Sequence, residues 1–171
     1  MNRWVQIALV AGLALWTIWF ARTPLSADVN QSFLHLPDLV FHEAGHVIFS
    51  PFGRFMTVLG GSLLQCLVPV IAAIAFIKQE QPFSAAICGW WAGQNLVDLA
   101  PYIADARALQ MVLLGGHTGA EVEGHDWEYI LTQLGITHLD RGIGMTAYAL
   151  GIAIMIGALV FAGRAIARNS E

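Results

Sequence analysis

Apolar residues fill five stretches of the chain, and polar segments separate them. The first, Trp4 to Ala21, is interrupted only by Gln6 and Thr17 and bracketed by Arg3 and Arg22, just long enough to span a bilayer. Trp4, Trp16 and Trp19 lie near its ends, where indoles favour the interface. Leu25-Ser26-Ala27 is a poor small-residue cleavage site, so a retained anchor is expected rather than a signal peptide. After a polar connector, a helix is expected from about Leu36 to Phe49. Pro37 suits its first turn, and Pro51 with Gly53 ends it. Between Arg54 and Lys78 no charge occurs, which marks the clearest span. Its Gly60-Gly61-Ser62 allows close helix approach, and Pro69 predicts a kink. The fourth run, Phe83 to about Ile103, carries Asn95, Asp98 and Pro101 in its second half, with Asp105 just beyond. Polar groups at that depth require a protein-lined cavity. Gly142 to Gly163 is again uncharged and forms the last span. Residues 115–140 form a glycine-rich polar loop, in which Asp126 reads as the N-cap of a short helix from Trp127 to Leu134, stopped by Gly135.

This pattern predicts an all-α, polytopic membrane helix bundle of about four to five transmembrane segments. The chain is expected to form a single integral membrane domain over residues 1–171, with spans near 4–21, 36–50, 56–77, 83–104 and 143–163. Composition agrees: 57% of the 171 residues are hydrophobic and 12% are charged, about half the charged fraction of a soluble domain. The net charge is −4 and the basic residues are scattered singly, so no stripe exists to neutralise phosphates, and nucleic acid is excluded as a partner. With five crossings, Arg3, Arg54, Arg107 and Arg141 fall on one side. Arg22, Lys78, Arg164 and Arg168 fall on the other, and this tie leaves orientation open. Cys66 and Cys88 both lie in apolar runs and read as small buried hydrophobes.

One apolar run contains Phe41-His42-Glu43-Ala44-Gly45-His46. Residues four apart share a helix face, so His42 and His46 can offer ring nitrogens to one metal ion, expected to be Zn2+. Glu43 is placed to take a proton from a water on that ion. Ionisable groups are expensive in hydrocarbon, which favours this reading over two ordinary histidines and a glutamate paired with neighbours. His35, Asp38, His42 and His46 share one stripe. Asp38 is either a partner that fixes the tautomer of His42 or a carboxylate favoured at a helix N-terminus, and His35 reads as interfacial. Gln65 is a buried amide that pairs with a neighbouring helix or with an extended substrate backbone.

A catalytic zinc normally takes three protein ligands and leaves a position for water. The residues leave the third open among Asp98, Asp105, His117, His125 and Asp126. Asp98 and Asp105 would share a face of one continuous helix, but Pro101 is expected to break it. His125-Asp126-Trp127 reads either as a loop histidine beside a helix cap or as a pair over the metal site.

His42-Glu43-Ala44-Gly45-His46 in a membrane helix, followed by a glycine-bearing span and by Asn95 through Arg107, resembles the site-2 protease family of intramembrane zinc metalloproteases. The resemblance covers roughly residues 33–114 and leaves the loop at 116–134 outside. It implies zinc held by His42, His46 and Asp105, Glu43 as catalytic base, and Asn95 as a substrate-backbone ligand. Ala106 stands where that family has glycine, and the gap from Pro101 to Asp105 is longer than in the family.

The expected activity is hydrolysis of a peptide bond in or near a transmembrane segment, with a membrane-protein substrate and the lipid bilayer as partners. No appended sensor domain is visible, so regulation would need a membrane partner protein. Asp38, Asp98, His125 and Asp126 are the expected accessory residues. Two alternatives remain at this point: a non-catalytic membrane protein that binds or transports metal, and an inactive protease-like scaffold.

Overall fold

The five apolar runs are helices in the computed structural model, which describes residues 1–168. In chain order the helices are α1 (Arg3–Ala21), α2 (His35–Phe49), α3 (Arg54–Lys78), α4 (Pro82–Ala104), the short α5 (Asp126–Gln133) and α6 (Asp140–Arg168). The described residues contain no strand, only an isolated antiparallel bridge between Val112 and Thr118. The architecture is therefore all-helical. Helices α1 and α3, and α6 with the turn before it, are each long and apolar enough to cross a membrane. Helix α4, with 23 residues, extends about 34 Å at 1.5 Å per residue, enough for a bilayer core of about 30 Å. Helix α2, with 15 residues, extends only about 22 Å and falls short of a full crossing.

Helix α4 is the centre of the bundle, with 13 of its 23 residues buried. Its polar residues can sit there because other helices, and not lipid, surround them. In lipid, apolar side chains gain little by leaving acyl chains, so close packing and interhelical hydrogen bonds must hold the helices together. Both are present. A Cβ on Gly93 would lie 2.7 Å from the Gly151 carbonyl oxygen, and one on Gly144 would lie 2.7 Å from that of Ala100, so α4 and α6 meet backbone to backbone. On α1, the Thr17 hydroxyl accepts from Trp90 Nε1 on α4 at 2.8 Å and donates to the Leu13 carbonyl. Leu13, Phe20, Val29, Trp90, Val97 and Met155 form the main core. Trp16 packs against Trp90 at 6.1 Å between ring centres. Part of its ring thus packs on the core, while Trp4 is exposed.

Local punctuation follows residue chemistry. Helix α2 ends at Phe49 and passes through a single 3-10 turn, Ser50–Phe52, to Gly53, whose φ of 89° suits a residue without Cβ. The expected break at Pro101 does not occur, and α4 continues to Ala104. Proline there removes one helical N–H near the helix end, where few further bonds depend on it. The N-cap of α5 also differs from expectation. His125, not Asp126, caps the helix, its Nδ1 accepting from the Glu128 N–H at 3.1 Å. The Asp126 carboxylate is thereby left free to point elsewhere.

Candidate metal centre

Helices α2 and α3 cross at glycines. Gly45 lies against the Gly60 carbonyl, with no room for a Cβ, and a Cβ on Gly61 would lie 2.7 Å from Nε2 of both His42 and His46. The backbone of α3 thus forms a floor directly beneath the two imidazoles, and a side chain at 61 would fill the space in front of them. The ring centres are 4.9 Å apart with planes at 74°.

The third group comes from the loop. Asp126 Oδ2 lies 2.9 Å from His42 Nε2 and 3.2 Å from His46 Nε2. Atoms about 2.0–2.2 Å from a tetrahedral zinc stand roughly 3.3 Å from one another, so these separations match the edges of such a tetrahedron. The remaining hydrogen bonds fix which nitrogens face the centre. His42 Nδ1 lies 3.0 Å from Gln65 Oε1, and His46 Nδ1 lies 2.9 Å from the Thr57 carbonyl oxygen. Both oxygens only accept, so each imidazole carries a hydrogen on Nδ1 and turns Nε2 toward the Asp126 carboxylate, a contact that a proton or a metal ion must bridge. Lone pairs from two nitrogens and a carboxylate repel at these distances unless a cation lies among them. Either extra protons or one metal ion satisfies the set. The paired Nδ1 anchors, the glycine floor and the spacing suit a metal ion. Burial acts to raise the Asp126 pKa, but the hydrogen bonds and charges of His42 and His46 outweigh it and hold the carboxyl below its usual range. Protons on the two histidines therefore keep Asp126 an anion.

Among the described residues, His42, His46 and Asp126 are the one set of three such side chains whose ligand atoms all lie within 4.8 Å of one another. Asp105, which the family resemblance proposes as third ligand, lies elsewhere. As the C-cap of α4 it accepts from the N–H groups of Gln110 at 3.0 Å and Met111 at 2.9 Å, and it lies 3.5 Å from His125 Nε2. Its carboxylate is engaged by the loop that it anchors. The buried His125 sits between Asp105 and the Glu128 N–H, and burial lowers its pKa, so it reads as a neutral brace for the turn that presents Asp126. Tyr102 on α4 adds a second brace, its hydroxyl accepting from the Asp126 N–H at 2.8 Å.

Asp98 is likewise outside the triad. It pairs with His35 Nδ1 at 3.0 Å and receives Gln65 Nε2 at 3.2 Å. Asp38 does not reach His42; its Oδ1 accepts from Trp91 Nε1 at 2.7 Å. Gln65 has both ends of its amide engaged within the protein, by His42 and Asp98. Asn95 is fully buried and donates to the Trp91 carbonyl at 2.9 Å, away from the cavity beside the histidines. His117 stands outward in the loop, 3.9 Å from Glu121. Cys66 and Cys88 are free thiols.

No protein-family model, curated protein or solved structure matches the chain. The site must therefore be read from its geometry. A cavity of about 340 Å³ opens over the triad, lined by Glu43, Asp98, Tyr102, Glu123 and the loop segment Met111–Leu114. Its described lining contains no Lys or Arg, so the carboxylates set a negative potential that attracts a cation. Glu43 faces this cavity one residue from His42 and is not engaged with the triad.

Proposed function

We propose that the chain is a multi-pass intramembrane zinc metalloprotease that hydrolyses a peptide bond in or near the transmembrane segment of a membrane protein. The observation that supports it most is the convergence of His42 Nε2, His46 Nε2 and Asp126 Oδ2 beside an open cavity that also holds Glu43. This revises the ligand set drawn from resemblance. His42 and His46 stay, and Asp126 takes the place given to Asp105.

A zinc ion held there would supply Lewis acidity and lower the pKa of water toward about 7. The protein's part is positioning and proton transfer. His42, His46 and Asp126 would hold the ion beside the cavity that Glu43 lines. Glu43 takes the proton of the attacking water and passes it to the leaving amine. A helical substrate must unwind before its carbonyl is accessible, because that oxygen is already hydrogen-bonded and shielded. The cavity is bordered by the exposed apolar side chains of Val112 and Leu114, which suit an apolar peptide segment.

A metal-binding protein without hydrolysis uses the same triad, and the departure of Asp105 from the ligand set favours that second reading over a close copy of the resembled family. Glu43→Gln separates the two. Cleavage of a reconstituted single-span substrate should fall at least 100-fold, the general-base contribution, while zinc content stays at the wild-type level. Cleavage unaffected by Glu43→Gln, or absent from the zinc-loaded wild type across varied substrates, would refute the protease reading.

A further inference from the structure

We infer that Asp98 controls the metal centre from a distance: acting through Gln65, it selects which ring nitrogen of His42 is free to bind the ion. The inference rests on the zinc reading above and extends it to two residues that do not touch the ion. Gln65 and Asp98 are each only 2% exposed, at the contact of α3 with α4. A carboxylate only accepts, so Asp98 Oδ2, 3.2 Å from Gln65 Nε2, must receive an N–H. That contact sets the direction of the amide. Its oxygen is left facing His42 Nδ1 at 3.0 Å and accepts the ring hydrogen there. Nε2, the atom 2.9 Å from Asp126, is then the nitrogen left for the ion to bind.

With the amide reversed, its NH2 would face Nδ1 and drive the hydrogen onto Nε2, and a protonated Nε2 cannot ligate a metal. The reversed amide would also set its oxygen against the Asp98 carboxylate, and that repulsion excludes the wrong orientation. The carboxylate is itself held by His35 Nδ1, at 3.0 and 3.1 Å from its two oxygens, and by Asn30 Nδ2 at 3.3 Å. His46 needs no such device, because the Thr57 carbonyl has no alternative orientation. Of the two imidazoles, only His42 has a tautomer that depends on a side chain that can turn around. Asp98 and Gln65 are positioning residues.

The test uses the full chain in detergent with labelled histidine. Nitrogen NMR of metal-free protein at alkaline pH, in an Asp126→Ala background where no carboxylate competes for the hydrogen at Nε2, should show His42 protonated on Nδ1 when positions 65 and 98 are wild type. In that background Asp98→Asn should give a mixture of tautomers, and with Asp126 intact Asp98→Asn should raise the zinc Kd about 10–100-fold, the usual cost of losing a ligand's orienting partner. The exchange Gln65→Glu with Asp98→Asn moves the carboxylate to position 65, where it accepts from His42 Nδ1 whichever way it turns. That double variant should recover the wild-type tautomer and a Kd within a few-fold of wild type. Wild-type tautomer and affinity in Asp98→Asn, or a double variant no better than the single, would overturn the inference. Should Asp98→Asn fail to fold, the double variant decides alone: recovery supports the relay, and loss of zinc overturns it. A wild type that shows the Nδ1 tautomer but binds no zinc would refute the metal reading while leaving the hydrogen-bond relay standing.

Discussion

Gly61→Ala is the most discriminating single change, because it adds one methyl group to the floor of the site and alters no ligand. The new Cβ would lie 2.7 Å from Nε2 of His42 and 2.7 Å from both Cε1 and Nε2 of His46, about 0.7 Å inside the 3.4 Å at which ordinary contact begins. The α2–α3 backbone has no slack to absorb this, since Gly45 already lies against the Gly60 carbonyl one residue away. The rings must therefore move by several tenths of an ångström. Metal ligands tolerate about ±0.2 Å, so the displacement is roughly three times what coordination allows. Zinc affinity should fall at least 10–100-fold, the range seen when ligand orientation is disturbed. The assay is competition against a chromogenic chelator on purified protein, with thermal unfolding of the metal-free form measured beside it. Gly157→Ala on α6 is the control: no atom lies within 4 Å of its Cβ, and its zinc affinity should match wild type. Equal affinity in Gly61→Ala and Gly157→Ala would refute the placement of the ion against α3.

Asp105→Asn should leave zinc bound but loosen the loop, speeding hydrogen exchange at the Gln110 and Met111 amides that its carboxylate now accepts. Zinc loss as complete as in Asp126→Asn would restore Asp105 as a ligand. Thr17→Val removes the acceptor of Trp90 Nε1 between α1 and α4 and should cost about 1 kcal/mol, the usual worth of an interhelical hydrogen bond in a membrane protein. Reversible unfolding in mixed micelles measures it, and an unchanged stability would mean that packing alone holds α1.

The helices were legible because lipid imposes a simple demand: the apolar runs ending at Arg22, Lys78 and Arg164 have nowhere to go but into long helices. The pair His42 and His46 was legible for a similar reason, since four-residue spacing fixes a shared face without any tertiary information. The third member of the cluster was not. It lies 84 residues from His42, and its place depends on Tyr102, His125 and Asp105 bracing a loop, which no local spacing encodes. Residue order pointed to Asp105. At a helix C-cap, however, the nearest free amides, Gln110 and Met111, capture that carboxylate first. The expectation for Asp126 as N-cap failed because His125 performs that task, and the signal that remained was an acidic residue beside a histidine in the one extended polar loop. The partner of His42 was missed because Asp38 shares its helix stripe, whereas Gln65 reaches it only through the glycine crossing of α2 and α3.

The central claim is that His42, His46 and Asp126 hold a single zinc ion. Zinc analysis of the purified wild type beside His42→Ala and Asp126→Asn tests it most directly. The account predicts stoichiometric zinc in the wild type and its loss from both variants. Zinc retained in both variants, or none bound by the wild type after equilibration with the ion, would contradict it.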